Sequence, residues 1–169
     1  LFYSYNRDNE LIENNLTRAW IVTLGLLSHS VRHRFLSQLF NVITSEGSSL
    51  HSLQGIDFRD ASLALQDNMD KKVSRRASTR VVLAIASYRY EYPLVKTDLS
   101  SDPYLSKPDA WIFDPAGSYC LLIEAKVGSN PLNERQLVSH ANDWFNIKQR
   151  DLGSYLLPLN WCDVVEVVR

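Results

Sequence analysis

The run Lys107 to Val127, KPDAWIFDPAGSYCLLIEAKV, constrains this chain more than any other part of it. Its apolar residues alternate with the charged ones, and alternation over a short run is the period of a strand with two unlike faces. In Asp114-Pro115-Ala116-Gly117 the aspartate, proline and glycine stand at the first, second and fourth positions of a type I turn, where each one's backbone preference suits it. Folding the arms about that turn is expected to set Asp109 opposite Leu122. Ala110, Ile112, Leu121, Ile123, Ala125 and Val127 then share one face, and Asp109, Glu124 and Lys126 the other. In that register Asp109 and Glu124 are diagonal neighbours, with Cβ atoms about 7–8 Å apart. Two carboxylates close such a gap through a shared cation, since each ligating oxygen sits about 2.1 Å from a magnesium ion. The hairpin therefore predicts a divalent-metal site.

At 169 residues, 45% of them hydrophobic, the chain can bury one substantial core, and residues 1–169 are expected to form a single domain. Because it begins with Leu rather than Met, it is read as a piece of something larger. A formal net charge of −1 is not that of a protein gripping nucleic acid through bulk charge, so any such contact must come from local patches. The two cysteines, Cys120 and Cys162, lack the spacing of zinc ligands and are too few for a disulfide framework. Reduced thiols in a cytoplasmic protein are expected. The longest apolar run, Ala19 to Leu27, is too short to span a bilayer, so no membrane partner is expected.

Along the chain, Leu11, Ile12, Leu16, Trp20, Leu24 and Leu27 recur at helical spacing and predict a first helix over about Asp8 to His29, capped by Asn6 or Asp8. A second helix is expected over Val31 to Thr44, ended by the turn-forming Ser45 to Ser49. Ala61 to Leu65 and Arg80 to Tyr90 read as strands, with the basic residues Lys71, Lys72, Arg75, Arg76 and Arg80 around the link between them. Those cations are candidates for tracking phosphates, although such runs more often form solvated loops. After the hairpin, Asn130-Pro131 supplies a cap and a proline for a helix buried along Leu137, Ala141, Trp144 and Phe145. A last strand is expected over Asp163 to Val168. Helices, three or four strands, a helix and a strand make an α/β protein with a mixed sheet flanked by helices.

Pro108-Asp109 followed by Glu124-Ala125-Lys126 at the end of the next strand resembles the signature of the PD-(D/E)xK nuclease superfamily, the restriction-endonuclease-like fold. The resemblance implies an αβββαβ core that holds one or two divalent cations, Mg2+ or Mn2+, between the two acids. It also implies that the lysine assists the water attacking a phosphodiester. Members often carry a glutamine on the helix after this strand, and Gln136 stands there. A subgroup of exonucleases continues as Gln-x-x-x-Tyr; here Gln136-Leu-Val-Ser-His140 ends in histidine, so the resemblance reaches at least as well to restriction and antiviral defence nucleases. Many members also set a glutamate on the first helix near the metal. Glu13, in Glu13-Asn14-Asn15-Leu16-Thr17, is its match.

The chemistry gives these residue types a reason to converge. Phosphodiester cleavage needs a nucleophilic water, neutralised phosphoryl oxygens and a stabilised leaving oxygen. Asp109 and Glu124, joined by Glu13 and the carbonyl of Ala125, would hold the cation as hard oxygen ligands. Lys126 would orient the attacking hydroxide and attract the phosphate, while Gln136 and His140, one turn apart, would position substrate or water rather than bind metal. Acid-x-Lys alone is commonly a solvated strand edge with a cross-strand ion pair. Pro-Asp upstream, apolar flanks and the following helix are what set this one apart. The expected activity is that of a metal-dependent nuclease, a DNA endonuclease in the first instance, working as a homo-oligomer or a module of a larger assembly. The competing expectation is a catalytically inactive module of the same fold that binds nucleic acid or a partner protein. Trp111 and Trp144 are expected in the core rather than stacked on bases.

Overall fold

The computed structural model describes residues 9–45, 53–66, 69–88, 107–128 and 132–167, with the side chains of 9–14 and 42–45 outside that description. Ten regular elements follow one another there: α1 (Asn9–Leu26), α2 (His29–Ser45), β1 (Ser62–Leu65), α3 (Lys71–Arg76), β2 (Thr79–Ala86), β3 (Ala110–Phe113), β4 (Tyr119–Ala125), α4 (Glu134–Phe145), β5 (Leu156–Asn160) and α5 (Trp161–Glu166). A short 3-10 segment, Gln149–Ser154, leads into β5. The protein is α/β, with a five-stranded mixed sheet in the order β1-β3-β4-β2-β5. β1, β3 and β4 are antiparallel neighbours, whereas β2 runs parallel to both β4 and β5. Parallel strands cannot be joined by a tight turn, and α4 provides the crossover from β4 to β5.

The alternation read from the hairpin separates two cores. Ala110, Ile112, Leu121, Ile123 and Ala125 pack with α1, α2 and Val164 of α5 on one face of the sheet. Trp111, Cys120 and Leu122 pack on the other face with Leu137, Ala141 and Phe145 of α4. Each such fully buried large side chain contributes about 1.5–3 kcal/mol. The central strand β4 is buried along its whole length, which is why its apolar run lacks an exposed polar face.

The predicted turn forms, with the Gly117 N–H donating to the Asp114 carbonyl at 2.9 Å, but the hairpin closes around a longer loop. The Asp114 N–H bonds to the Tyr119 carbonyl, and the ladder pairs Ala110 with Ile123 and Trp111 with Leu122. The expected register, with Asp109 opposite Leu122, is therefore off by two residues. Gly117, at φ 92°, supplies the left-handed residue that lengthens the loop. A slip of two leaves every paired side chain on its predicted face, and Asp109 lies just beyond the last pair, Ala110 with Ile123, with its N–H on the Ile123 carbonyl.

Two other expectations are corrected. The strand predicted over Asp163 to Val168 is helix α5, because Asn160 and Asp163 form a capping box: Asn160 Oδ1 accepts the Cys162 N–H and Asp163 Oδ2 accepts the Asn160 N–H, both at 2.8 Å. The last strand lies earlier, at Leu156–Asn160, and its Pro158 is tolerated because β5 is an edge of the sheet. α4 is capped by Asn133, whose Oδ1 accepts the Arg135 N–H at 3.0 Å. The predicted caps Asn6, Asp8 and Asn130 with Pro131 lie outside the described residues, as do Glu46 to Ser49.

Arg32 separates α1 from α2. This buried guanidinium donates to the carbonyls of Leu24, Gly25 and Leu27 at the end of α1 and to Ala61 just before β1. It satisfies acceptors a helix end leaves without partners. Both cysteines are free; Cys120 is buried and Cys162 exposed. Burial pushes the Cys120 thiol up to about 12, which makes it inert. Among the described residues no helix is long and apolar enough to cross a membrane.

Candidate active site

Glu124 occupies the penultimate position of β4, at the carboxyl end of the central strand, and its side chain is 0% exposed. Its strand partner in β2 is Ala84, with Ala86 next along the same face, so small side chains leave room for a carboxylate inside the sheet layer. Burying an ion there costs several kcal/mol unless it is paired. Two nitrogens approach it. Lys126 Nζ stands 3.0 Å from Oε1, and His140 Nε2, reaching down from α4, stands 3.3 Å from Oε2. Both contacts are at ion-pair distance, yet neither has the alignment of a hydrogen bond, and both carboxylate oxygens are buried without one. Charge is balanced here while the lone pairs remain under-used. A buried carboxylate in that condition suits a further cation or donor.

Asp109 sits just outside the β3–β4 ladder. Its N–H donates to the Ile123 carbonyl at 3.0 Å, and its Oδ2 accepts the N–H of Ala125 at 2.8 Å. The aspartate is thus bonded to the residue between Glu124 and Lys126. Pro108, buried beside it, restricts the approach of the chain. The stretch just beyond Lys126 is itself held: the Lys126 carbonyl accepts the Trp161 indole N–H, Ser87 Oγ accepts the Gly128 N–H, and the Tyr88 hydroxyl accepts the Leu132 N–H at 2.7 Å. All of these lie at the carboxyl ends of the parallel strands β2, β4 and β5. Open α/β sheets bind ligands at that edge.

α4 brings His140 to this point because both of its ends are fixed. Asn133 caps the first turn, and the last carbonyls accept from Arg75 (Asp143), Ser74 Oγ (Trp144) and Arg80 (Phe145) at 2.8–2.9 Å. Much of the basic stretch proposed to track phosphates is therefore engaged with α4, with Lys71 also standing over the Trp144 ring at 5.0 Å. Trp111 is buried and packs edge-on against Trp144, as expected of core residues.

Of the predicted site residues, the structure brings Glu124 and Lys126 into contact and bonds Asp109 to Ala125. Gln136 is buried on α4 one turn before His140. The Glu13 side chain lies outside the described residues. The contact that sequence reasoning missed is His140 on Glu124; the i, i+4 spacing from Gln136 marks the helix face, but only the docking of α4 shows which strand residue it meets. Among the described residues no three His, Cys, Asp or Glu side chains form a group that could hold a metal ion. The donor set nevertheless fits a hard divalent cation in kind: two carboxylates at one sheet edge, one of them buried with both oxygens lacking a hydrogen bond. A cavity of about 420 Å³ between α2 and residues 53–59, lined by His33, Ser37, Asp57 and Arg59, contains none of these side chains. Chemistry rather than volume marks the candidate site. Comparison with family models, curated proteins and solved structures finds no match for the chain.

Proposed function

We propose that this protein is a divalent-metal-dependent nuclease of the restriction-endonuclease-like class, hydrolysing nucleic-acid phosphodiesters, with DNA as the first substrate to test. The observation that carries the reading is Glu124: a fully buried carboxylate at the carboxyl end of the central strand, without a hydrogen bond on either oxygen, flanked by Lys126, with Asp109 just outside the ladder and bonded to Ala125. A buried ion pair contributes little that well-packed apolar side chains would not, so the pair is explained better by a site than by the fold. In this reading Asp109 and Glu124, with the Ala125 carbonyl and Glu13, hold the cation. When bound, it supplies Lewis-acid stabilisation of the phosphoryl oxygens and activation of a water. Lys126, 18% exposed, stands between the buried acid and solvent, where its ammonium can turn from Glu124 to an incoming phosphate oxygen. Asp109 orients Ala125 through its N–H and so holds the two flanking side chains in register.

The decisive experiment combines plasmid nicking under magnesium or manganese with metal-dependent melting. The expected outcome is nicking by the wild type, its loss in Asp109→Ala and Glu124→Gln, and a Lys126→Ala variant that binds metal without cutting. At a hundredfold excess over its dissociation constant, metal should stabilise the wild type by about 2.7 kcal/mol and the Asp109→Ala variant by far less. No nicking of plasmid, linear DNA, single strands or RNA, with no metal-dependent shift, rejects the enzyme.

A specific observation favours a second reading. Glu124 already has Lys126 at 3.0 Å, and among the described residues no third acid or histidine completes a metal group. An inactive module of the same fold would keep that ion pair as a structural element. Retained nucleic-acid binding without cutting, insensitive to metal, is its signature.

A further inference from the structure

We propose that His140 is a positioning residue for Glu124: it holds the carboxylate from the α4 side in the orientation the chemistry needs, and does not itself touch substrate. The inference rests on the nuclease reading for its kinetic consequence, but its geometric part stands independently. Glu124 and His140 are 0% and 1% exposed, so the contact between them is shielded from bulk water. Lys126, the other nitrogen on the carboxylate, sits on a flexible stem at the rim and is the group expected to leave when a phosphate arrives. Once it turns away, Nε2 of His140, at 3.3 Å from Oε2, is the remaining nitrogen of the pair described here.

The imidazole is well placed for that task because its helix cannot drift. α4 is anchored by the Asn133 cap at one end and by Arg75, Ser74 and Arg80 on its last three carbonyls at the other. Leu137 and Ala141, on either side of His140 along the helix, are buried in the core of the same sheet face. A ring on a fixed helix restricts a carboxylate more sharply than an ammonium on four methylenes. Removing an outer partner of this kind costs about 10–100-fold in metal affinity or activity.

The test compares wild type, His140→Gln and His140→Phe for calorimetric manganese affinity, for plasmid-nicking kcat and KM, and for the 13C shift of the Glu124 carboxyl carbon. Glutamine places a nitrogen near where Nε2 lies, whereas phenylalanine keeps the ring volume and removes that nitrogen. Expected are a kcat lower by about 10–100-fold in His140→Phe with KM for DNA within about twofold, and recovery to within about threefold in His140→Gln. The carboxyl resonance should move in the phenylalanine variant and return in the glutamine variant. Equal behaviour of the two variants in rate and resonance overturns the proposal, since ring volume would then be all that matters. If His140→Phe does not fold, His140→Leu replaces it as the donor-free variant. A wild type that neither cuts nor binds metal rejects the nuclease reading alone, and the resonance then decides the position of Glu124 by itself.

Discussion

At the scale of single residues, a carboxylate buried against the preference of its surroundings points to the site. Glu124 lies among Ala84, Leu122 and Trp111 on a face otherwise packed by α4. Exchanging a buried ion pair for an apolar side chain of similar volume is often neutral or stabilising by about 1–4 kcal/mol. The double variant Glu124→Met/Lys126→Met, which removes both partners, is therefore expected to hold or raise the melting temperature and, on the nuclease reading, to abolish cleavage, measured by calorimetry and plasmid nicking on the same preparation. A lower melting temperature would show that the charge serves the fold. Both acids and the lysine were legible from spacing, because alternation assigns faces without any knowledge of what packs on them. His140 was not legible as a partner of Glu124, since 16 positions and a helix separate the two.

At the scale of elements, the hairpin is set by its turn. Asp114 Oδ atoms accept the N–H groups of Ala116 and Ser118, and the Ser118 side-chain hydrogen bond is the leading reason its carboxyl is held below the ordinary 3.8. A depressed native pKa adds stability that is complete above the unfolded value and lost as pH falls through the folded one. Asp114→Ala should thus cost about 1 kcal/mol at pH 6 in chemical denaturation, a gap that closes as pH drops well below 3.8. Gly117→Ala, at φ 92° with no close neighbour to its new methyl, should cost about 1–2 kcal/mol at every pH. A gap for Asp114→Ala that is flat with pH would remove the carboxylate from the turn. The place of the turn was evident from four residues, but the loop length was not, because Gly117 and Ser118 serve equally as turn end or as bulge.

At the scale of the molecule, two helical layers cover one sheet, and the strand carrying Glu124 is the middle one of five. The slowest opening is expected where burial is complete on both faces. Amide hydrogen exchange should accordingly be slowest across Val82 to Ile85 and Leu121 to Ile123, and faster in α5 and in the edge strand β1. Faster exchange in β4 than in β1 would contradict the strand order. A rigid central strand also suits the candidate site, since its side chains then keep their spacing while the groups at the rim move.

Local chemistry along the chain determined the two sheet faces, the turn, the helical stretches of α1, α2 and α4, and the acids and lysine on the hairpin, because period, turn preference and side-chain direction act between near neighbours. Long-range packing decided the rest. The basic stretch became the clamp on the last turn of α4, and α4 in turn carried His140 onto Glu124. Those outcomes depend on which distant carbonyl or carboxylate lies within about 3 Å, and such distances arise only once the layers have come together.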